Sequence, residues 1–383
     1  MVYLDHAATT DLRPEAREVW LAAAAVTGNP SSLHRAGRDA RRLVEESRER
    51  AAAALGVPPA SLVFTSGGTE SDNLAIVGTV AAQRDSGGGR TILLPRTEHK
   101  AVLEPAEALG DVEWIEVHAD GRVRLDHLQE LLRDYDPALV CVMAVNNETG
   151  VVQPIAEVAD LCRAAGVPLH VDAVQALGVI RPDGVDATTV AFSAHKVGGP
   201  MGVGLLRVLG SAEVRPIVRG GGHESGLRAG TPDVAGIHAA AVAVELAAAE
   251  QAAHAEHLAS LREALLSGLA ALPDLRYDVN SPNDGAPGIV NVGFPGCESD
   301  ALMMLLDAAG IEVSTGSACT VGIPRPSHVL LAMGRSAADA RSALRVSFGR
   351  TSTREDVDAL LAVLPDAVAR ARRAGQLAVA GGA

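Results

Sequence analysis

Aromatic side chains are nearly missing from this 383-residue chain: four Phe, three Tyr and two Trp, 2% in all. Stacking against any flat ligand therefore falls to other rings, histidine first. Cysteine is sparse as well. Cys141, Cys162, Cys297 and Cys319 form no C-x-x-C pair, which excludes a disulfide framework and points to a reducing, intracellular setting. There is no cationic surplus: 33 Lys+Arg against 47 Asp+Glu give a net charge of −14. Direct nucleic-acid binding, which depends on neutralising phosphates, is not expected. No apolar run is long enough for a membrane span. The first residues, Met1-Val2-Tyr3-Leu4-Asp5-His6, have no basic region followed by an apolar stretch, so no targeting segment is expected. The expected location is cytoplasmic. A hydrophobic content of 48% rules out a disordered chain.

What is present is an alternation. Short apolar, β-branched runs at Leu62–Phe64, Thr91–Pro95, Val112–Val117, Leu139–Val145, Pro168–Asp172, Thr188–Ser193 and Val203–Val208 read as strands. Helical periodicity lies between several of them, at Asp72–Arg84, Ala101–Leu109, Leu125–Arg133 and Ile155–Ala165. This is the pattern of an α/β protein with a buried, mainly parallel sheet of seven strands. From Val234 to about Leu272 the chain turns alanine- and glutamate-rich and predicts one or two long helices. Strand-like runs at Ile289–Phe294, Glu312–Ser314 and Leu344–Phe348 follow, with helices at Ser299–Ala309 and Arg354–Ala371. They suggest a smaller α+β domain. The expected division is a large domain over 13–255 and a small one over 1–12 and 256–383.

Three segments carry chemistry. Phe64-Thr65-Ser66-Gly67-Gly68-Thr69-Glu70-Ser71 lies where a strand gives way to a helix. Small residues let backbone N–H groups approach an anion at a helix N-terminus, with Ser66 and Thr69 as added donors. A capped glycine turn is the plainer reading, and no P-loop lysine follows. Asp172 ends an apolar strand, where a carboxylate needs a partner. A protonated ring nitrogen would serve, and so would a helix cap. Gln175 follows three residues later. In Phe192-Ser193-Ala194-His195-Lys196-Val197-Gly198-Gly199, a lysine stands directly after an apolar strand. Desolvated there, it becomes a usable amine nucleophile suited to a Schiff base. A Schiff-base lysine and an Asp for a pyridinium nitrogen are what a pyridoxal phosphate (PLP) enzyme needs most.

Further motifs stand in order along the chain: Tyr3-Leu4-Asp5-His6-Ala7-Ala8-Thr9-Thr10, Gly28-Asn29-Pro30-Ser31-Ser32-Leu33-His34, Glu98-His99, Asn146-Asn147-Glu148-Thr149-Gly150, Gly220-Gly221-Gly222-His223-Glu224, Arg228-Ala229-Gly230-Thr231 and Ser314-Thr315-Gly316-Ser317-Ala318-Cys319. Together with the three segments above, the set resembles the cysteine desulfurases of the NifS/IscS type, PLP-dependent members of the class V aminotransferase family. The match runs from Tyr3 to about Val357. The resemblance implies PLP-dependent transferase fold type I: a large domain with a seven-stranded, mainly parallel sheet plus a smaller α+β domain. It implies that Lys196 binds PLP covalently, Asp172 faces the pyridine nitrogen, Gln175 bonds the phenolic oxygen and His99 stacks on the ring. Gly68, Thr69, Ser193 and His195 would hold the phosphate, with Thr231 reaching it from the second subunit of a homodimer. Asn147, beside the cofactor, and Arg345 would bind the carboxylate of L-cysteine.

The same resemblance gives Cys319 the catalytic role. Its thiolate would take sulfur from L-cysteine as a persulfide, leave L-alanine, and pass the sulfur to an acceptor protein, with an iron–sulfur scaffold expected first. The Cys319 segment holds a glycine and two prolines and reads as a loop, like the long loop of the group I enzymes. Its Pro324-Arg325-Pro326 and the glycine at position 68, often alanine in the family, are departures from the pattern. Lys196 and His99 would move protons. Cys141, Cys162 and Cys297 sit in apolar contexts and read as packing residues. His254 and His257 make a poor metal pair, and no metal is expected. The stretch from Arg35 to Arg50, interleaved with acids, reads as a solvated helix. The alternatives are a selenocysteine lyase or another class V enzyme, a non-catalytic sulfur-pathway scaffold, and sulfur donation to tRNA thiolation or DNA phosphorothioation.

Overall fold

The short β-branched runs all find partners in a single sheet. The computed structural model describes residues 1–180, 186–315 and 326–381. Its central strands are β1 (Leu62–Thr65), β2 (Thr91–Pro95), β3 (Val112–Ile115), β4 (Pro137–Cys141), β5 (Leu169–Asp172), β6 (Thr189–Ser193) and β7 (Gly204–Val208). They lie in the order β1-β7-β6-β5-β4-β2-β3, and only β7 runs against its neighbours. Helices cover the sheet, so its strands read as continuous apolar runs rather than alternating ones. Ile92, Leu93, Leu94, Leu139 and Leu205 are fully buried.

The helices of this part are α1 (Pro14–Ala24), α2 (Arg35–Leu55), α3 (Gly68–Asp85), α4 (Lys100–Leu109), α5 (Leu125–Asp134) and α6 (Ile155–Ala165). Helices α3 to α6 follow β1 to β4 in turn, which sets several loops at the carboxyl ends of the strands, where open α/β sheets bind ligands. The run predicted as a strand over Leu139–Val145 keeps its bonds to β5 past Cys141, from Val142 N to His170 O at 3.1 Å and from Ala144 N to Asp172 O at 2.8 Å, but loses its pairing with β2. The reason lies in a side chain: the Met143 N–H donates to Glu98 Oε1 at 2.7 Å.

The alanine-rich stretch is one uninterrupted helix, α7 (Val234–Ala271). Its first half, from Ile237 to Ala247, packs into the core beneath the large sheet. Its second half lays Leu258, Leu261, Leu265 and Leu269 into a separate apolar cluster, at the three- and four-residue spacing of one helical face. That cluster includes Leu4 and residues from β9 (Ile289–Gly293) and β10 (Ala343–Ser347), which form an antiparallel sheet with β8 (Asp278–Val279), and residues from α8 (Ser299–Ala308) and α9 (Arg354–Gly381). Val2–Tyr3 pairs in parallel with Ile311–Glu312, returning the N-terminus to this second unit. No helix among the described residues is long and apolar enough to cross a membrane.

The Arg-rich helix α2 corrects its sequence reading at one position. Arg35, Arg42 and Arg50 are solvated and make loose pairs, but Arg48 is buried. Its guanidinium grips Glu224 through two bonds of 2.8 Å and donates to Leu62 O. It also lies over the Phe64 ring, 4.8 Å from the centroid. Glu224 accepts in turn from the Phe64 N–H at 2.7 Å.

Candidate active site

The cavity at the carboxyl ends of the strands is lined by Gly68, Thr69, Asp72, His99, Asn147, Asp172, Val174, Gln175, Ser193, His195 and Lys196. In the sequence these residues are scattered from Gly68 to Lys196, and the sheet order gathers them. At one end, β1 runs through Ser66 and Gly67 into the first turn of α3. Gly67 has φ 155° and ψ 177°, a region essentially open to glycine alone. Gly204 of β7 lets this turn lie against the sheet, since a Cβ there would meet Gly67 backbone atoms at 2.4 and 2.5 Å. Glu70 closes the turn by accepting from Ser66 N at 2.8 Å while pairing with Arg228 at 3.0 Å. The result is a helix N-terminus with free N–H groups beside the Thr69, Ser193 and His195 side chains, the donor set of an anion site.

Lys196 ends a short 3₁₀ turn, Ala194–Lys196, after β6. Its Nζ donates to Ala7 O at 2.5 Å and Ala8 O at 2.8 Å. Burial, helped by the charge of Arg345, lowers its pKa to about 8. His195 drops to about 4, chiefly by burial and then by Lys196, and its Nδ1 meets Thr9 Oγ1 at 3.1 Å. Gln175 donates from Nε2 to Ala7 O at 2.8 Å. The N-terminal segment is therefore a wall of the site, a role its motif did not disclose.

Asp172 closes β5 and accepts from Val174 N at 2.9 Å. Burial raises its pKa, against the lowering effects of His99 and Lys196. A buried carboxyl with that tendency is stabilised as an anion by a cationic ring nitrogen. His99 is the N-cap of α4. Its Nδ1 accepts from Ala101 N at 3.1 Å, so the neutral ring carries its proton on Nε2. Desolvation holds its pKa below the usual histidine value. Anion donors, a buried carboxyl and an amine of depressed pKa lining one cavity fit PLP.

Arg345 sits on β10, its side chain 5% exposed, and bonds Asp5 at 2.6 Å and Asn147 O at 2.8 Å. Its Nε is buried without a partner. Thr231 lies exposed, away from the cavity of its own chain. Cys319 lies outside the described residues. The other three cysteines are buried. Burial raises the Cys141 thiol, takes Cys162 to about 12 and raises Cys297, which leaves all three unreactive at neutral pH. No group of three or more His, Cys, Asp or Glu among the described residues is placed to hold a metal.

The aminotransferase class-V family matches residues 2–360. This chain belongs to that family. It is 47% identical over 393 residues to an IscS-like cysteine desulfurase of Mycobacterium tuberculosis, with 100% of this chain and 99% of the relative covered. Among solved structures it resembles a NifS-like protein with a TM-score of 0.88 and 35% identity, over 96% of this chain and 99% of the other. It also resembles SspA in complex with cysteine, with a TM-score of 0.78 and 31% identity, over 91% and 99%. The fold is that of the NifS-like PLP enzymes of fold type I, and PLP is the cofactor of this family.

Sequence reasoning missed two buried acids at this site. Asp72 on α3 bonds His170 Nε2 at 3.2 Å. Glu98 is 1% exposed, and its Oε2 has no partner. A signal existed for Asp72, which stands three and four residues before Ala75 and Ile76 on the buried stripe of α3.

Proposed function

We propose that this chain is a PLP-dependent cysteine desulfurase that converts L-cysteine to L-alanine and holds the sulfur as a persulfide on Cys319. The observation that carries the reading is the convergence of Lys196, Asp172, Gln175 and His99 on one cavity. The full-length likeness to an IscS-like cysteine desulfurase supports the substrate. PLP, when bound, supplies a sink for the electrons left at the substrate Cα as its proton departs. Gly68, Thr69, Ser193 and His195 would hold its phosphate, with Thr231 added from the second subunit of a homodimer. Gln175 would bond its phenolic oxygen, and His99 would stack on its ring.

The protein's part is binding and proton handling. Asn147, which also borders the cofactor, and Arg345 bind the substrate carboxylate; a guanidinium with a buried, unpartnered Nε is suited to that task. Lys196, with a pKa near 8, has a usable neutral fraction at physiological pH and takes the Cα proton at Nζ. Asp172 would hold the proton on the ring nitrogen. His99 donates from Nε2, the one ring nitrogen left free by its capping bond. The Cys319 thiolate attacks the substrate sulfur: an S–S bond forms, the Cβ–S bond breaks, and its electron pair stays with the carbon that is protonated to give alanine.

A thiol that cycles through a persulfide needs a reducing compartment, so the cytoplasm is the proposed location. An iron–sulfur scaffold protein is the proposed acceptor. The split of apolar clusters along α7 supports a large domain over 13–255 and a small one over 1–12 and 256–383. Cys319→Ser tests the central claim. The variant keeps the yellow cofactor absorbance and loses alanine formation from cysteine; full turnover would remove Cys319 from the mechanism. Trapping persulfide-bearing partners on wild-type protein identifies the acceptor.

A further inference from the structure

The floor of the cofactor cavity holds more acid than the mechanism uses. Asp72 and Asp172 both line it. Glu98 is buried alongside, and the three carboxyls influence one another electrostatically. The cationic groups are unevenly placed. Lys196 and His99 act on Asp172. Among the described residues no cation acts on Asp72 or Glu98 to a comparable degree; Glu98 has the Met143 N–H. Burial and the neighbouring acids push both Asp72 and Glu98 well above the usual carboxyl range.

Asp72 has one distinctive contact. Strand alternation puts His170 and Asp172 on the same face of β5. His170 is fully buried, and its Nε2 lies 3.2 Å from Asp72 Oδ1. Its Nδ1 lies 2.9 Å from Thr189 Oγ1, directly across the ladder to β6. Burial lowers the His170 pKa to about 3, so the ring is neutral. The Thr189 hydroxyl could give or take this bond, but the ring also bonds the Thr189 backbone, whose carbonyl can only accept, which places the ring proton on Nδ1 and makes Nε2 an acceptor whose fitting partner is a hydroxyl proton on Asp72.

We propose that Asp72 remains protonated, donates to His170 Nε2, and so leaves Asp172 as the single anionic carboxyl in the floor of the cofactor site. Asp72 is thus a positioning residue that acts through Asp172. This rests on the reading in which Asp172 faces the ring nitrogen. An ionised Asp72 beside Asp172 would set two negative charges against one ring proton. It would also leave the two lone pairs of Asp72 and His170 facing each other.

The test is infrared spectroscopy of the full-length, cofactor-stripped chain, with ¹³C-labelled aspartate to separate Asp from Glu signals. A protonated-acid C=O band is expected to persist through neutral pH in wild type and in Asp172→Asn, and to be absent from Asp72→Asn. No such band at neutral pH, or one that survives Asp72→Asn, overturns the proposal. If Asp72→Asn fails to fold, His170→Gln serves: loss of the imidazole acceptor shifts the band, and a band left in place overturns the proposal. In PLP-loaded protein, Asp72→Asn, which copies a neutral acid, keeps the wild-type absorbance spectrum and PLP affinity within about threefold. A larger loss overturns the proposal. Asp172→Asn weakens PLP at least tenfold. If it does not, the assignment of Asp172 to the ring nitrogen fails, while the infrared result still decides the state of Asp72.

Discussion

Arg48→Met is the perturbation whose cost the structure defines best. Arg48 and Glu224 have side chains 10% and 4% exposed and meet through two bonds of 2.8 Å. The same guanidinium donates to Leu62 O and covers Phe64. Truncating it strands the Glu224 carboxylate in a site nearly closed to water. Breaking a buried pair from one side costs about 3–5 kcal/mol, because the remaining charge is uncompensated. The outer contact to Glu45, itself 55% exposed, adds little. Backbone strain raises the stake. Glu224 and Ser225 hold φ values of 49° and 55°, a region that disfavours such residues by about 1–2 kcal/mol each. Arg48 is the clamp that keeps this turn in place. The assay is urea unfolding at fixed protein and PLP concentrations, since dimerisation and cofactor both shift apparent stability. Arg48→Met should lower stability by about 3–5 kcal/mol. The double variant Arg48→Met with Glu224→Gln should recover at least about 1 kcal/mol of the additive loss. A cost under about 1 kcal/mol for the single variant, or strict additivity, would refute the reasoning.

Two further outcomes follow from the site. In cofactor-free protein, the Lys196 pKa falls from 10.5 to about 8. The unfolded chain therefore binds more protons between those values, and stability rises with pH across that window. The gain amounts to about 3 kcal/mol. Lys196→Met should remove this gain, so the difference between the two unfolding-versus-pH curves checks the shift; parallel curves would contradict it. Gly68→Ala places a Cβ 2.7 Å from Val174 Cγ2, and a β-branched neighbour has little freedom to turn away. A thermal melt should show a loss of about 1–3 kcal/mol that Val174→Ala relieves; an unchanged melt would show that the turn gives way at no cost.

Why some features could be read in the chain and others not comes down to the range of the interactions. The seven strands and the helices between them were legible because burial on both sheet faces writes itself into consecutive residues. Lys196 and Asp172 were legible because a charge at the end of an apolar strand conflicts with its surroundings locally. Arg48 was not. Its acidic neighbours at helical spacing satisfied the solvated reading, while its true partner, Glu224, lies 176 residues away. The wall made by Ala7 and Ala8 was hidden for another reason: it works through carbonyl oxygens, which every residue possesses. Asp72 falls between these cases. It carried a local signal, an acid on a buried helical stripe, but its meaning required His170 from a strand that sheet order alone brings near. That contact also bears on the electronic demand of the reaction. If Asp172 faces the ring nitrogen as proposed, one ring proton calls for one anion, and the other two buried acids are best kept neutral. On the proposal above, the sheet supplies one of the means by setting the His170 Nε2 against Asp72, with no cation among the described residues acting on that acid.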